Sequence, residues 1–200
     1  MQLRAVGAVL ALFLSLPAGC SRAPDLVGVD NPEKPAASVE VLSRHRIFIT
    51  TTREASEVVG VFFSGERAPE LGLASVDVTV PPTHVVGELE RPRQLPPDPA
   101  REFAVINPVV YDTDTAFVAE VNRELAKRAR GDRKILLFIH GYNTSTSDAI
   151  LRLGQFVEDT GFSGVPVLFT WASAAKAPRY VYDLNSALIA REKLSEMAAV

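Results

Sequence analysis

The chain has 200 residues and a mass of 21.7 kDa, enough for one domain with a real core. Its 47% hydrophobic and 22% charged residues exclude a chain disordered throughout and a collagen-like one. The net charge of −3 offers no basic excess for nucleic acid, one cysteine excludes an internal disulfide framework, and three scattered histidines give little material for a zinc cage, so no metal and no cofactor is expected.

Residues 1–19 carry the pattern of an export signal. Arg4 supplies the positive start, and Ala5 to Leu16 is an uncharged, mostly apolar run of 12 residues. That is shorter than the ~20 residues a bilayer span takes. Pro17-Ala18-Gly19 forms a small-residue exit, and the lone Cys20 falls directly behind it. The arrangement resembles the bacterial lipoprotein signal, in which the cysteine is lipidated and becomes the first residue of the mature chain. Pro17 stands where that signal usually has Leu. The resemblance implies a lipid anchor at Cys20, and Ser21 behind it implies an outer-membrane lipoprotein facing the periplasm. Secretion or a periplasmic location, with Cys20 incidental, is the alternative. Loss of residues 1–19 leaves 20 basic and 24 acidic residues, a net charge of −4. No polybasic patch then attracts a membrane, so the lipid would do the anchoring. Residues 20–44 read as a lipidated cysteine and a flexible tether, with Pro24, Pro32 and Pro35 among small and charged residues and no apolar period.

The fold is expected over residues 45–200. His45 to Thr52 is rich in β-branched residues and reads as a strand. Val58 to Phe63 is a second apolar run. Val76 to Val80 alternates strictly and stops at Pro81-Pro82. Leu89 to Ala100 holds four prolines and reads as an extended loop, and Phe103 to Val110 as a further strand. From Thr113 to Arg130 the spacing is helical, with Phe117, Val118, Val121, Leu125 and Ala129 on one face, a cap at Thr113 or Asp114 and a stop at Gly131.

Ile135 to Ile139 is continuously apolar, as a strand buried on both faces is. The loop His140 to Ser145 follows. Ser147 can cap a helix with Ile150, Leu153, Phe156, Val157 and Thr160 inward and Gly161 at its end. Val165 to Trp171 is the next strand. A last helix starts near Asp183, which most simply caps it, with Ala187, Leu188, Leu194 and Met197 inward. Strand, helix, strand, helix with short loops means parallel βαβ units. The last helix has no stop signal, so the 200 residues read as the first part of a longer protein, incomplete at the C-terminus.

Open parallel sheets deliver ligands at the carboxyl ends of their strands. The loop His140 to Ser145 sits at such an end, with a glycine and free backbone N–H groups near a helix start. Such groups can stabilise an oxyanion; a plain turn has them too. Leu137 to Asn143, an apolar strand ending in His140-Gly141-Tyr142-Asn143, resembles the start of an α/β-hydrolase. More narrowly, the chain is similar to a bacterial α/β-hydrolase family long catalogued as of unknown function. The pieces that carry this are Thr50-Thr51-Thr52-Arg53, Phe63-Ser64-Gly65-Glu66-Arg67, Val78 to His84 with Gly87, His140 to Asn143, and Leu168-Phe169-Thr170-Trp171 with Tyr180, Tyr182 and Asp183. Where the family usually has Pro-Ser after the Trp, this chain has Ala172-Ser173.

The resemblance implies an α/β-hydrolase-like fold, a mostly parallel sheet with amino-terminal antiparallel strands. It makes His140, Gly141, Tyr142 and Asn143 the oxyanion-hole loop, with His140 shaping the loop rather than moving a proton. Asn143 either adds a donor or bonds the loop to itself. Trp171, Tyr180 and Tyr182 are candidates for an acyl pocket, with plain packing the alternative for Trp171. Arg53 and Arg67 have surface salt bridges as their simplest role, and His45 and His84 solvated or core-edge ones. The resemblance also implies a Gly-x-Ser-x-Gly elbow after the last helix. No serine here fits it: Ser163 has Val165 where the second glycine should be, and Ser64 has Phe62 two before it.

The function expected is therefore an exported, membrane-tethered serine hydrolase acting on a small acyl ester, esterase- or lipase-like, with its nucleophile beyond Val200. The alternatives are a non-catalytic lipoprotein that binds a cell-envelope partner, or a truncated inactive fragment.

Overall fold

A computed structural model describes residues 22–197. The export signal at 1–19 and the lipidation site at Cys20 lie outside the described residues. Five strands form one sheet: β1 (Ser43–Ala55), β2 (Phe63–Val80), β3 (Ala104–Val110), β4 (Ile135–Ile139) and β5 (Val165–Thr170). The helices are α1 (Asp114–Ala126), α2 (Thr146–Thr160) and α3 (Tyr180–Met197). The strand order is β3-β2-β1-β5-β4.

The connections decide the seams. The link of residues 56–62 returns β2 antiparallel to β1, and the crossover through α2 returns β5 parallel to β4. The β2–β3 seam is also antiparallel, and the β1–β5 seam parallel. The expectation of a mostly parallel sheet is corrected to a mixed one, two seams of each kind. The run Val58 to Phe63 forms the turn into β2 rather than a strand of its own; β2 starts at Phe63. Its solvent-facing valines are balanced by Phe63, which is buried.

Period-two alternation sends β1 to both faces of the sheet. Ile47 and Ile49 meet Val76, Val78, Ile150, Leu153 and Leu168 beneath α2. Phe48 meets Phe117, Val121 and Val167 beneath α1. Helix α2 lies close on the sheet because Gly154 carries no side chain: a Cβ there would stand 2.7 Å from a methyl of Val78.

Helix ends follow side-chain chemistry. Thr113 caps α1 through Ala116 N, but α1 ends at Ala126, and Gly131 belongs to a separate 3-10 turn. Ser145, not Ser147, caps α2. It forms a reciprocal capping box with Asp148, and Gly161 closes the helix at φ 61° as its sequence position suggests. Ser147 is buried and accepts from Leu26 N. Phe156, Thr160 and Leu188, expected inward, are exposed. In α3 the apolar residues lie all round. Ala187, Leu194 and Met197 pack on Phe169, Trp171 and Ala190, while Val181, Leu184 and Leu188 face out.

The segment read as a tether is packed on the domain from residue 22 onward. Leu26 and Ala36 are fully buried, Val27 N donates to Gly60 O, and Gly28 N donates to Val105 O. Leu26 and Val27 join the core beneath α2, and Ala36 packs on Ala104 and Ile106 of β3, too few side chains to produce a period. At the other end of α2, His84 joins the loop after β2 to the helix. Its Nδ1 meets Glu90 at 2.7 Å and its Nε2 meets Asp159 at 2.8 Å. Burial works against the charged ring, but the two carboxylates outweigh it and raise the His84 pKa.

Candidate functional site

The carboxyl ends of β1, β4 and β5 meet over one buried cation. Arg53, at the end of β1, is 2% exposed. All five of its N–H donors face an acceptor. Nε donates to Thr170 Oγ1 at 2.8 Å, and Nη1 to Ser64 O at 3.1 Å and Ser173 O at 3.0 Å. Nη2 donates to Thr144 O at 2.8 Å and lies 3.4 Å from His140 Nε2. The guanidinium thus stitches β2, the loop after β4 and the loop after β5 together. Burial lowers its pKa to about 10 against the pull of Asp183, so it stays charged at neutral pH. This corrects the expectation of a surface salt bridge. Arg67 is no simple surface pair either: it donates to Ser186 Oγ and stacks over Tyr182.

His140 is held from both sides. Nδ1 donates to Gly141 O at 2.7 Å, and Nε2 accepts from Thr170 Oγ1 at 2.9 Å. Its ring stacks on Trp171 at 4.9 Å, and Trp171 Nε1 donates to His140 O at 3.0 Å. Burial, with Arg53 nearby, pushes its pKa down to about 4. The ring is neutral at pH 7, and the hydroxyl it meets is buried and already accepts from Arg53. Both ring nitrogens are taken up within the protein, by Gly141 O and Thr170 Oγ1.

Asp183 anchors the same loop. It is 1% exposed and lies inside α3, which begins at Tyr180, so it does not cap the helix. Oδ2 accepts from Asn143 N at 3.0 Å and from Ser173 Oγ at 2.5 Å, and Oδ1 accepts from Ala174 N at 2.7 Å. Burial pushes this carboxyl up, but the hydrogen bonds and Arg53 outweigh it and hold its pKa below the usual range.

These bonds settle which donors the loop can offer. Asn143 N, Thr144 N and Ser145 N are spent on Asp183, Ser173 and Asp148. Within the described residues, no hydrogen bond uses the N–H of Gly141 or Tyr142. Both residues are exposed, and a Cβ on Gly141 would meet nothing within 4 Å. Asn143 takes φ 55°, a left-handed turn that Asn tolerates better than other side chains do. It serves as a loop anchor, and the two free donors stand at Gly141 and Tyr142.

The three pocket candidates stand in different surroundings. Trp171 is buried against His140. Tyr182 is gripped between Arg67 and Arg179, and its hydroxyl donates to Gly65 O. Tyr180 is exposed and meets Tyr142 edge-on at 5.3 Å. None of them lines the large cleft of about 600 Å³, which lies between α1 and the β4 edge and is walled by Phe117, Val121, Leu137, Val167 and Met197.

Ser43, His45 and Glu158 cluster elsewhere, but both the hydroxyl and the carboxylate meet His45 at Nε2. A relay needs them on opposite ring nitrogens, so this is no triad. Among the described residues, no three His, Cys, Asp or Glu side chains are arranged to hold a metal ion.

The strand ending in His140-Gly141 is the feature on which the α/β-hydrolase resemblance rests. Residues 113–200 match the family model described as alpha/beta hydrolase of unknown function (DUF900). The match takes in His140 to Asn143, Leu168 to Trp171, Tyr180, Tyr182 and Asp183; the three earlier pieces of the resemblance lie ahead of it. In this family stretch sit every acceptor and donor that Arg53 and Asp183 organise, apart from Ser64. No curated protein and no solved structure matches the chain.

Arg53 and Asp183 are the functional residues that sequence reasoning under-read. A lone cation at the end of the β-branched run Thr50 to Thr52 is the signal that could have found Arg53.

Proposed function

We propose that this chain carries the oxyanion side of a serine hydrolase that is exported, tethered to the membrane through a lipid on Cys20, and cleaves acyl esters. Its nucleophile is then a serine on a segment beyond Val200. The observation that carries this is the pair of unspent N–H groups at Gly141 and Tyr142, on a loop whose other donors are all anchored. Preorganised donors of this kind accept the charge that develops on a carbonyl oxygen without reorganising at the moment of reaction. In the reaction the serine oxygen attacks the ester carbon, the alcohol leaves with a proton, and water then releases the acid from the acyl-enzyme. His140, neutral and fully engaged, takes no part in those proton transfers.

The alternative reading is a hydrolase-like lipoprotein that binds an envelope partner without turnover. One experiment separates the two. The native polypeptide, isolated from cells that encode it, is treated with a serine-directed phosphonate probe and weighed intact. The hydrolase reading expects one modified serine beyond Val200 and acyl chains on Cys20. An unmodified protein would sink it and leave the binding reading.

A further inference from the structure

The first described residue of the chain is fixed to the site. Arg22 Nη1 donates to Ala175 O at 3.0 Å, and Nη2 lies 3.4 Å from Asp148 Oδ2 in the first turn of α2. Leu26 N, four residues on, donates to Ser147 Oγ. Ala175 follows β5, and Asp148 forms the capping box behind the His140 loop. Arg22, two residues past Cys20 in the sequence, is thus held at the carboxyl end of the sheet.

The same end carries an apolar lip with charges of both signs, Glu57 and Glu66 among them. Tyr142 and Tyr180 are exposed and in contact, and the Tyr142 hydroxyl donates to Ala177 O, which ties the two loops into one rim. Val181 extends the rim; Lys176 stands exposed within it, and Arg179 is paired there with the exposed Glu66. On the other side of Arg22 is the turn before β2, closed by Val61 N donating to Val58 O. Val61 lines the small crevice that Arg22 and Ala175 also line. At the tip of this turn, Val58 is 67% and Val59 82% exposed. Exposed valines and tyrosines beside cations are the composition that enters a bilayer interface. The opposite end of the sheet also has exposed valines, Val85 and Val86, but there they adjoin His84, Glu90 and Asp159 and lie far from Arg22.

We infer that the rim formed by Tyr142, Tyr180, Val181 and the Val58–Val59 turn is a bilayer-docking surface, held on the membrane by the anchor at Cys20. This rests on the lipid-anchor reading above, and it deepens the hydrolase reading. The free N–H groups of Gly141 and Tyr142 open onto this rim, so the ester they would receive belongs to an amphiphile drawn from the bilayer.

The test uses the full native chain in vesicles of phosphatidylcholine and phosphatidylglycerol. Val59→Cys, Val181→Cys and, as control, Val86→Cys are each labelled with an environment-sensitive fluorophore. The thiol of Cys20 is blocked if it is acylated, and the parent chain carried through labelling reports whether it is. The expected result is a blue shift, and loss of intensity to lipid-borne quenchers, at positions 59 and 181 but not at 86. Absence of both at 59 and 181, or equal effects at 86, overturns the docking surface whatever the state of Cys20. Labelling of the parent chain at Cys20 with the depth pattern retained overturns the anchor alone. A phosphonate-inert protein with the depth pattern retained overturns the hydrolase reading alone. A Val58→Asp, Val59→Asp variant adds an activity readout. It should lose turnover of esters presented in vesicles and keep turnover of a soluble short-chain ester; an equal loss of both would count against docking.

Discussion

Two parts of the same sheet answer burial in opposite ways. At the carboxyl end, polar groups are buried together: Arg53, His140, Ser173 and Asp183 form one continuous network. At the β4 edge, apolar groups are open. Ile135, Leu137 and Ile139 are exposed above the large cleft, although the same strand's Leu136 and Phe138 pack beneath α2. The polar end is therefore the rigid part of this molecule, because an unpaired group there would cost more than the pair contributes. The apolar edge costs little locally, since its side chains make few contacts that could be lost.

The variant with the largest expected effect breaks the polar end at its centre. Arg53→Met leaves the carbonyls of Ser64, Thr144 and Ser173 without their donor. It should cost about 4 kcal/mol in urea unfolding. A cost below about 1 kcal/mol would show that water replaces the guanidinium and that the end is not rigid.

Asp183→Asn comes next, at about 2 kcal/mol. It also has a pH signature. The folded pKa of Asp183 is depressed, so its stabilisation is present above the usual carboxylate range and is lost as pH falls through the depressed value. Parent and variant stabilities should converge in acid. His140, in contrast, should show no titration by NMR between about pH 5 and 8, because its pKa is pushed down to about 4.

His84 sharpens the comparison with a polar knot of the other sign. Its folded pKa is raised, so its stabilisation is full below the usual histidine range and is lost as pH rises through the raised value. His84→Gln should cost about 1 kcal/mol at pH 5 and less at pH 9, read by the same urea curves. The smallest effect belongs to the open edge. Leu137 is 40% exposed, and Leu137→Ser should shift stability by less than about 0.5 kcal/mol while reducing self-association in light scattering. A large loss would mean that the edge is covered in solution.

What was legible in the sequence was local. The apolar runs of β4 and β5, the cap at Thr113 and the closing Gly161 are each decided within a few residues and stand where the pattern put them, but β4, expected to be buried on both faces, is an edge strand with one face exposed. The His140 loop was placed by the strand before it. Illegible parts depend on distant partners. The acceptors of Arg53 come from segments as far as 120 residues along the chain. Asp183 looks like a cap until the Asn143 and Ala174 N–H groups are seen to converge on it. Residues 22–42 look like a linker because their hold on the domain is three buried apolar side chains, a few polar side-chain contacts and a few backbone bonds, none of them periodic.

The strand order also sets a schedule for assembly. β5 lies between β1 and β4, so it is the only bridge between the amino-terminal hairpins and the later strand. Ile135 to Ile139 is synthesised before that bridge and has no sheet neighbour among the strands made earlier. Until Val165 to Thr170 arrives and inserts, five consecutive apolar residues wait beside a finished antiparallel unit. Closure then demands contacts between strands more than a hundred residues apart, the kind that forms last. The interval before β5 docks is the moment at which this chain most needs a chaperone's cover.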